Sequence, residues 1–279
     1  MENIKEGYNW KTPVWVVSPG GGALKRVLRV SESKALIKAI DTEEQGLFKL
    51  MNLSNKDARL WLEALLFSGM RLNELIILKR KPYDGMGNPL LRKNGSILLP
   101  KEQFGDVGKQ RSVARERVVL LSDIGRNIMH KFLDEANMPT FKGGFNPKWV
   151  AIAFDGMLKI ASDRIGLQER TFTRTQKKPV IDAVTGLQKV DDKGKPVFQK
   201  VQIPQVTTGV HVRSFRSSWE SWLVTTRFND EMALLNIINS IGHNRETAMT
   251  YYLATQFDKE DIDDMLKATE GFGIVSEKE

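Results

Sequence analysis

From Val30 onward, apolar residues recur at helical spacing. The first such run is "VSESKALIKAI", for which Ser31 or Ser33 is the expected N-cap. The clearest is "LSNKDARLWLEALLFS", where Leu60, Ala64, Leu65 and Phe67 form an apolar face and Ser54 with Asp57 has capping-box spacing. Gly69 interrupts this helix, and "MRLNELIIL" begins another. The period then changes. "SILLPKEQ" and "RERVVLLS" read as two strands joined by the basic tip "FGDVGKQRSVA".

Helical spacing returns in "SDIGRNIMHKFLDEA" and "PKWVAIAFDGMLKIASDRIG", and again in four blocks between Val212 and Thr269. Between them, short β-prone runs separated by "AVTGLQ" and "DDKGKP" predict one or two basic hairpins at about 170–205. The pattern predicts a mainly α domain with a small antiparallel β-sheet, an α+β fold. Residues 1–30 show no helical period and read as an irregular or short-strand N-terminal segment. Residues 258–279 form an acidic C-terminal helix or tail, with eight carboxylates against three lysines.

Composition narrows the chemistry. The 279 residues carry a net charge of +8, which leans toward a polyanionic partner. There is no cysteine, so disulfides, thiolate nucleophiles and cysteine-ligated zinc are excluded. The three histidines, His130, His211 and His243, are too few and too scattered for a dedicated metal cage. No apolar run is long enough to span a bilayer, and the N-terminus lacks a signal-peptide core, so an intracellular, cytoplasmic protein is expected.

Three stretches carry candidate reactive groups. In "FSGMRLNEL", Arg71 follows a helix break and Glu74 stands three residues on; taken alone, this is an ordinary ion pair. In "VHVRSFRSSWESWL", Arg213 and Arg216 share a helix face, and two adjacent guanidiniums suit phosphate oxygens, in catalysis or in simple nucleic-acid binding. In "IGHNRETAMTYY", His243 precedes Tyr251 and Tyr252, residues that on a helix are more often packing than nucleophilic.

In this order, the stretches resemble the tyrosine recombinase (phage integrase) family over about residues 31–257. "SGMRLNEL" is similar to its box T-G-x-R-x-x-E-L, departing at Ser68. "RSFRSSWESWL" resembles its box H-G-F-R-S-S-F-R-x-W. "IGHNRETAMTYY" resembles the L-G-H box whose tyrosine lies nine residues past the histidine, which selects Tyr252 over Tyr251. The resemblance implies a catalytic domain, into which the basic hairpin is an insertion, with residues 1–30 either an irregular segment before a catalytic fragment or the remnant of a core-binding arm. It also implies a site-specific recombinase that breaks and rejoins DNA through a 3′-phosphotyrosyl link. Its implied setting is a mobile element, virus or plasmid.

The roles implied are Arg71 and Arg216 as phosphate clamp, Tyr252 as nucleophile, His243 beside it, and Glu74 as a residue orienting Arg71. Lys109 is the hairpin lysine, with Lys101 in reserve. Arg213 stands where the family usually has a histidine, and an arginine there supplies charge and not proton transfer. His211 is the reserve for that missing histidine, and Tyr251 for the nucleophile. Arg111, Arg115, Lys177 and Lys178 are candidate DNA contacts. The implied partner is double-stranded DNA, with dimers or tetramers forming through the C-terminal segment. No cofactor, metal or membrane is implied. A telomere resolvase, a type IB topoisomerase-like enzyme and a non-catalytic DNA-binding relative are the alternatives.

Overall fold

The computed structural model describes residues 8–17, 24–41, 51–104, 116–142, 145–182, 185–242 and 257–273. Among these residues it is mainly helical with three small antiparallel two-stranded sheets, and the chain divides into two compact units, Gln168–Gly209 and the rest.

The larger unit opens with the hairpin β1 (Val14–Val17) and β2 (Leu24–Val27), followed by helix α1 (Val30–Asp41). Neither Ser31 nor Ser33 caps α1. The Glu32 carboxylate does so, accepting the backbone N–H of Arg29 at 2.9 Å while it pairs with the fully buried Arg26 at 2.6 Å. A carboxylate on the third helical residue reaches back to an orphan N–H, so an i,i+3 pair does the work of a capping serine.

Helix α2 (Asn55–Ser68) has the expected box: Ser54 Oγ accepts from Asp57 N at 3.1 Å, and Asp57 accepts from Ser54 N at 3.0 Å. Helix α3 (Leu72–Arg80) follows after a break at Gly69. Strand β3 (Ile97–Leu99) pairs antiparallel with β4 (Arg117–Val119), so that Leu99 faces Arg117. A single helical turn, α4 (Lys101–Phe104), follows β3 directly, because Pro100 cannot continue the ladder and its carbonyl accepts from Phe104 N. Lys101 is therefore on a short helix and not at the end of a strand.

Helices α5 (Asp123–Glu135) and α6 (Pro147–Arg164) complete the first half of the core. After the second unit come α7 (Val212–Arg227), α8 (Glu231–Ile241) and α9 (Lys259–Ala268). Helix α7 is the central post. Phe215, Trp219 and Trp222 are fully buried along it, Trp222 Nε1 donates to Leu28 O at 2.9 Å, and Ser218 Oγ accepts from Leu28 N at 2.7 Å. Those two bonds seat α7 on the segment leading into α1.

The acidic helix α9 is neither a solvated tail nor unpartnered. Asp261 is buried and bonds Arg29 Nε at 2.9 Å, while Lys11 bridges Asp258 at 2.7 Å and Glu260 at 2.8 Å. Arg227 at the end of α7 donates to Thr269 O at 2.7 Å. Helix α9 is thereby fastened to Lys11 before β1, to Arg29 at the start of α1 and to the end of α7.

In the smaller unit, β5 (Arg170–Pro179) and β6 (Phe198–Thr207) pair over ten residues, from Arg170↔Thr207 to Pro179↔Phe198. Beyond them the tip folds back through bridges Ile181↔Gln188 and Val190↔Pro196.

Gly69 explains the break between α2 and α3. It has φ 61°, and a Cβ there meets Trp219 Cδ1 at 2.6 Å. Gly87 has φ 85° with open space around it. Left-handed backbone costs a non-glycine residue about 1–2 kcal/mol. Gly87→Ala should show a loss of that size in urea unfolding, and Gly69→Ala a distinctly larger one, because Trp219 must also move. Equal losses would show that the tryptophan does not restrain this junction.

Candidate functional site

The site begins at the α2–α3 junction. Glu74, on the third residue of α3, accepts the Arg71 backbone N–H at 2.7 Å through Oε2 and the Arg71 guanidinium at 3.0 Å through Oε1. The arginine is thus bound twice by one carboxylate. Glu74 is buried, yet the Arg71 side chain keeps 43% of its surface exposed, so the cation is held from behind and open in front.

A second guanidinium arrives from β4. Arg117 Nη2 donates to Glu74 Oε2 at 2.5 Å, and its Nη1 donates to Ser240 O at 2.6 Å near the end of α8. Leu120 N donates to Ser240 Oγ at 2.9 Å, so β4 and α8 are laced together at this point. Gly242 ends α8 with φ 74°, and a Cβ there lies 3.3 Å from Arg117 Cδ, so the glycine gives both the turn and room for the arginine.

Arg216 on α7 closes the arrangement. Its Nη1 donates to Gly69 O at 2.6 Å, its Nη2 to Ile241 O at 2.7 Å, and its Nε pairs with the buried Glu220 at 2.8 Å. One guanidinium therefore joins the residue two before Arg71 to the residue two before His243. Segments far apart in sequence converge on a cluster of three arginines and two carboxylates.

The electrostatics follow from this count. Burial pushes the Glu74 carboxyl up, but Arg117, Arg216, Arg71 and the Arg71 N–H together outweigh it and hold the group below its usual range. Burial lowers the Arg117 guanidinium to about 10; Glu74 opposes that change, while Arg216 and Arg71 add to it. Arg117 stays cationic at neutral pH, and Arg71 is the arginine of the three most open to a ligand. Such a cluster is chemically suited to an oxyanion, above all the paired non-bridging oxygens of a phosphate.

The other sequence candidates are placed differently. Arg213 is exposed on the first turn of α7 and is bonded to neither Glu74 nor the other arginines. His211 is the N-cap of α7, with Nδ1 3.7 Å from Asp155, whose carboxylate also accepts Val212 N at 2.8 Å; it belongs to that helix start. Lys101 is exposed on α4. Lys177 and Lys178 are exposed on β5, in the smaller unit. Lys109, Arg111, Arg115, His243, Tyr251 and Tyr252 lie outside the described residues.

Sequence reasoning missed Arg117. The available signal was the alternation in "RERVVLL", which puts Arg117 on the same side of the strand as the buried Val119. An arginine on the core-facing side of a strand needs a buried acid. Among the described residues, no group of three metal-ligating side chains is assembled, and no helix is long and apolar enough to cross a membrane.

No family model matches the chain, and neither does any curated protein. Solved structures similar to it include two recombinase complexes. One is a XerH site-specific recombinase bound to palindromic difH substrate in a post-cleavage complex, with 17% identity and a TM-score of 0.44 over 85% of this chain and 51% of that one. The other is XerH bound to difH substrate in a pre-cleavage complex, with 18% identity and a TM-score of 0.42 over 85% and 52%. The chain spans about half the length of those recombinases.

Glu74→Gln removes the charge that holds Arg71 and Arg117. Breaking a buried ion pair from one side costs roughly 3–5 kcal/mol, so the urea midpoint at neutral pH should fall markedly. Since the folded carboxyl titrates below its ordinary value, its stabilisation is complete above the usual carboxylate range and drains as pH falls through the folded value. Acid titration of the unfolding free energy should therefore be shallower in Glu74→Gln than in the parent. Parallel profiles would mean that Glu74 carries no net stabilisation.

Proposed function

We propose that the chain is a DNA strand breaking-and-rejoining enzyme of the tyrosine recombinase kind, acting by site-specific recombination. The observation that carries this reading is the convergence around Arg216. It bonds Gly69 O and Ile241 O, and so joins the start of the "SGMRLNEL" box to Ile241, where the "IGHNRETAMTYY" box begins, from a helix that itself carries the third.

In this reading a phosphodiester lies against Arg71 and Arg216, which neutralise the non-bridging oxygens as charge builds up on them. Glu74 and Arg117 are positioning residues that keep Arg71 aimed outward. Tyr252 Oη attacks phosphorus, the P–O5′ bond breaks, and a 3′-phosphotyrosyl link and a free 5′-hydroxyl form. A proton reaches the departing O5′ from a hairpin lysine, Lys109 or the reserve Lys101. His243 handles the tyrosine proton, because Arg213 cannot act as a base. The bond energy stays in the phosphotyrosine, so attack by a 5′-hydroxyl of a second duplex restores the backbone. Self-association of two or four copies on DNA, through the C-terminal segment, is part of the same reading.

A nicked suicide duplex tests the nucleophile: Tyr252→Phe should give no covalent adduct on denaturing gels, whereas Tyr251→Phe should keep it. An adduct that survives in Tyr252→Phe overturns the assignment. Arg216→Ala should lower the single-turnover cleavage rate about 10²–10³-fold, the range for removing one transition-state donor, with a much smaller loss of DNA affinity. Supercoil relaxation without strand exchange, or hairpin-ended products, would place the chain with the topoisomerase-like or resolvase alternatives.

A further inference from the structure

The smaller unit contains an element that buries almost nothing. Among its described residues from 168 to 207, none is buried, and ten backbone pairs hold two strands together with both faces open. An isolated two-stranded ribbon is marginal in water, so one this long and uncovered has a partner to fit. Charge identifies the partner. Strands β5 and β6 contain Arg170, Arg174, Lys177, Lys178 and Lys200, and not one Asp or Glu. The acids are at the root, Glu169, and in the tip turns. There, Asp182 accepts Thr185 N and Asp191 accepts Lys193 N and Lys195 N, so both shape the chain reversal.

The register separates the faces. Lys177 stands directly opposite Lys200, and the same face carries Thr171, Thr173, Gln202, Val206 and Phe198. Arg170, Arg174, Lys178 and Gln199 are at register positions on the other face, so the two adjacent lysines do not act together. Like charges directly opposed on a ladder are destabilising, and a polyanion reverses that penalty. Lysines also guard strand edges against aggregation, but that purpose is met by scattered charges of either sign. It does not call for an opposed pair set among threonine, glutamine and exposed apolar side chains.

We infer that the β5–β6 ribbon lies in the major groove of duplex DNA with its Lys177–Lys200 face on the base edges. Two strands about 4.8 Å apart, with their side chains, match a major groove ~12 Å wide and exceed the ~6 Å minor groove. Ten residues at about 3.3 Å each span ~33 Å, close to one turn of B-DNA. Lysine and glutamine reach the N7 and O6 acceptors and the amino donors there, and Val206 and Phe198 offer apolar contact to thymine methyls. Arg170, Arg174 and Lys178, on the opposite face, are left for phosphate. The inference rests on the reading of the chain as acting on duplex DNA, but it does not depend on strand cleavage.

The full chain is used to select from a pool of 40-base-pair duplexes with randomised centres, and the enriched duplex is probed with dimethyl sulfate. This reagent reads guanine N7 in the major groove and adenine N3 in the minor groove. The parent should protect guanine N7 over a continuous patch, and Lys177→Ala with Lys200→Ala should lose that patch and about tenfold or more in affinity. Lys178→Ala should keep the patch and reduce the salt slope of binding by about one. Both variants should unfold in urea as the parent does, since neither change touches a buried group.

Protection confined to adenine N3, an N7 patch indifferent to the double substitution, or a parent that retains no duplex each overturns the inference. So does a double variant that loses self-association while its DNA footprint is unchanged. The covalent-adduct assay separates the two readings. Ribbon-dependent N7 protection without any adduct supports the groove arm while strand cleavage fails, and an adduct without ribbon-dependent protection does the reverse.

Discussion

A carboxylate buried at Glu74 cannot stand alone in a low-dielectric interior, and much of the site's geometry follows from how it is paired. Arg71 is tied to it at a helix start, Arg117 comes to it from a strand, and Arg216 adds charge beside it while bonding the carbonyls of Gly69 and Ile241. Each guanidinium also bonds or adjoins a chain break: Gly69 between α2 and α3, Gly242 at the end of α8. The ion pairs and the glycines are thus parts of one arrangement. The left-handed turns let backbone carbonyls point inward, and the arginines satisfy them.

The same device occurs at the start of α1. Glu32 accepts the Arg29 N–H and pairs with Arg26 from β2, as Glu74 accepts the Arg71 N–H and pairs with Arg117 from β4. The outcome differs because of what covers each arginine. Arg26 is fully buried, and Arg29 is buried against Asp261 of α9, so that cluster is closed and serves to fasten α9 to the start of α1. Arg71 has no such cover, and its exposed guanidinium leaves the second cluster a net cationic opening. One local motif thus yields a structural clasp in one place and a candidate anion site in another.

Features set by neighbours in sequence were readable before folding. The Ser54–Asp57 box, the Arg71–Glu74 pair and the apolar side of α7 depend on i,i+3 and i,i+4 geometry alone, and each is found where the pattern put it. The helix start at Val30 was misjudged because serine is the commoner cap, although the glutamate three residues past Arg29 did that work. Lys101 was assigned to a strand because "SILLPK" is apolar and β-prone, but Pro100 ends the ladder there. The partners of the C-terminal acids, Lys11 and Arg29, lie at the other end of the chain, so no spacing within the acidic segment foretold them.

What the sequence by itself determined is the mainly helical class, the placing of the helix breaks, and the residue types that can meet a phosphate. These follow from periodicity, glycine and the fixed chemistry of side chains. Only the tertiary structure decided that Arg117 joins the site, that Arg213 is exposed on α7, and that Arg216 bonds two carbonyls 172 residues apart, Gly69 O and Ile241 O. Those outcomes depend on how α7, α8 and β4 pack against one another. Packing is a long-range property, and no spacing within a single segment encodes it.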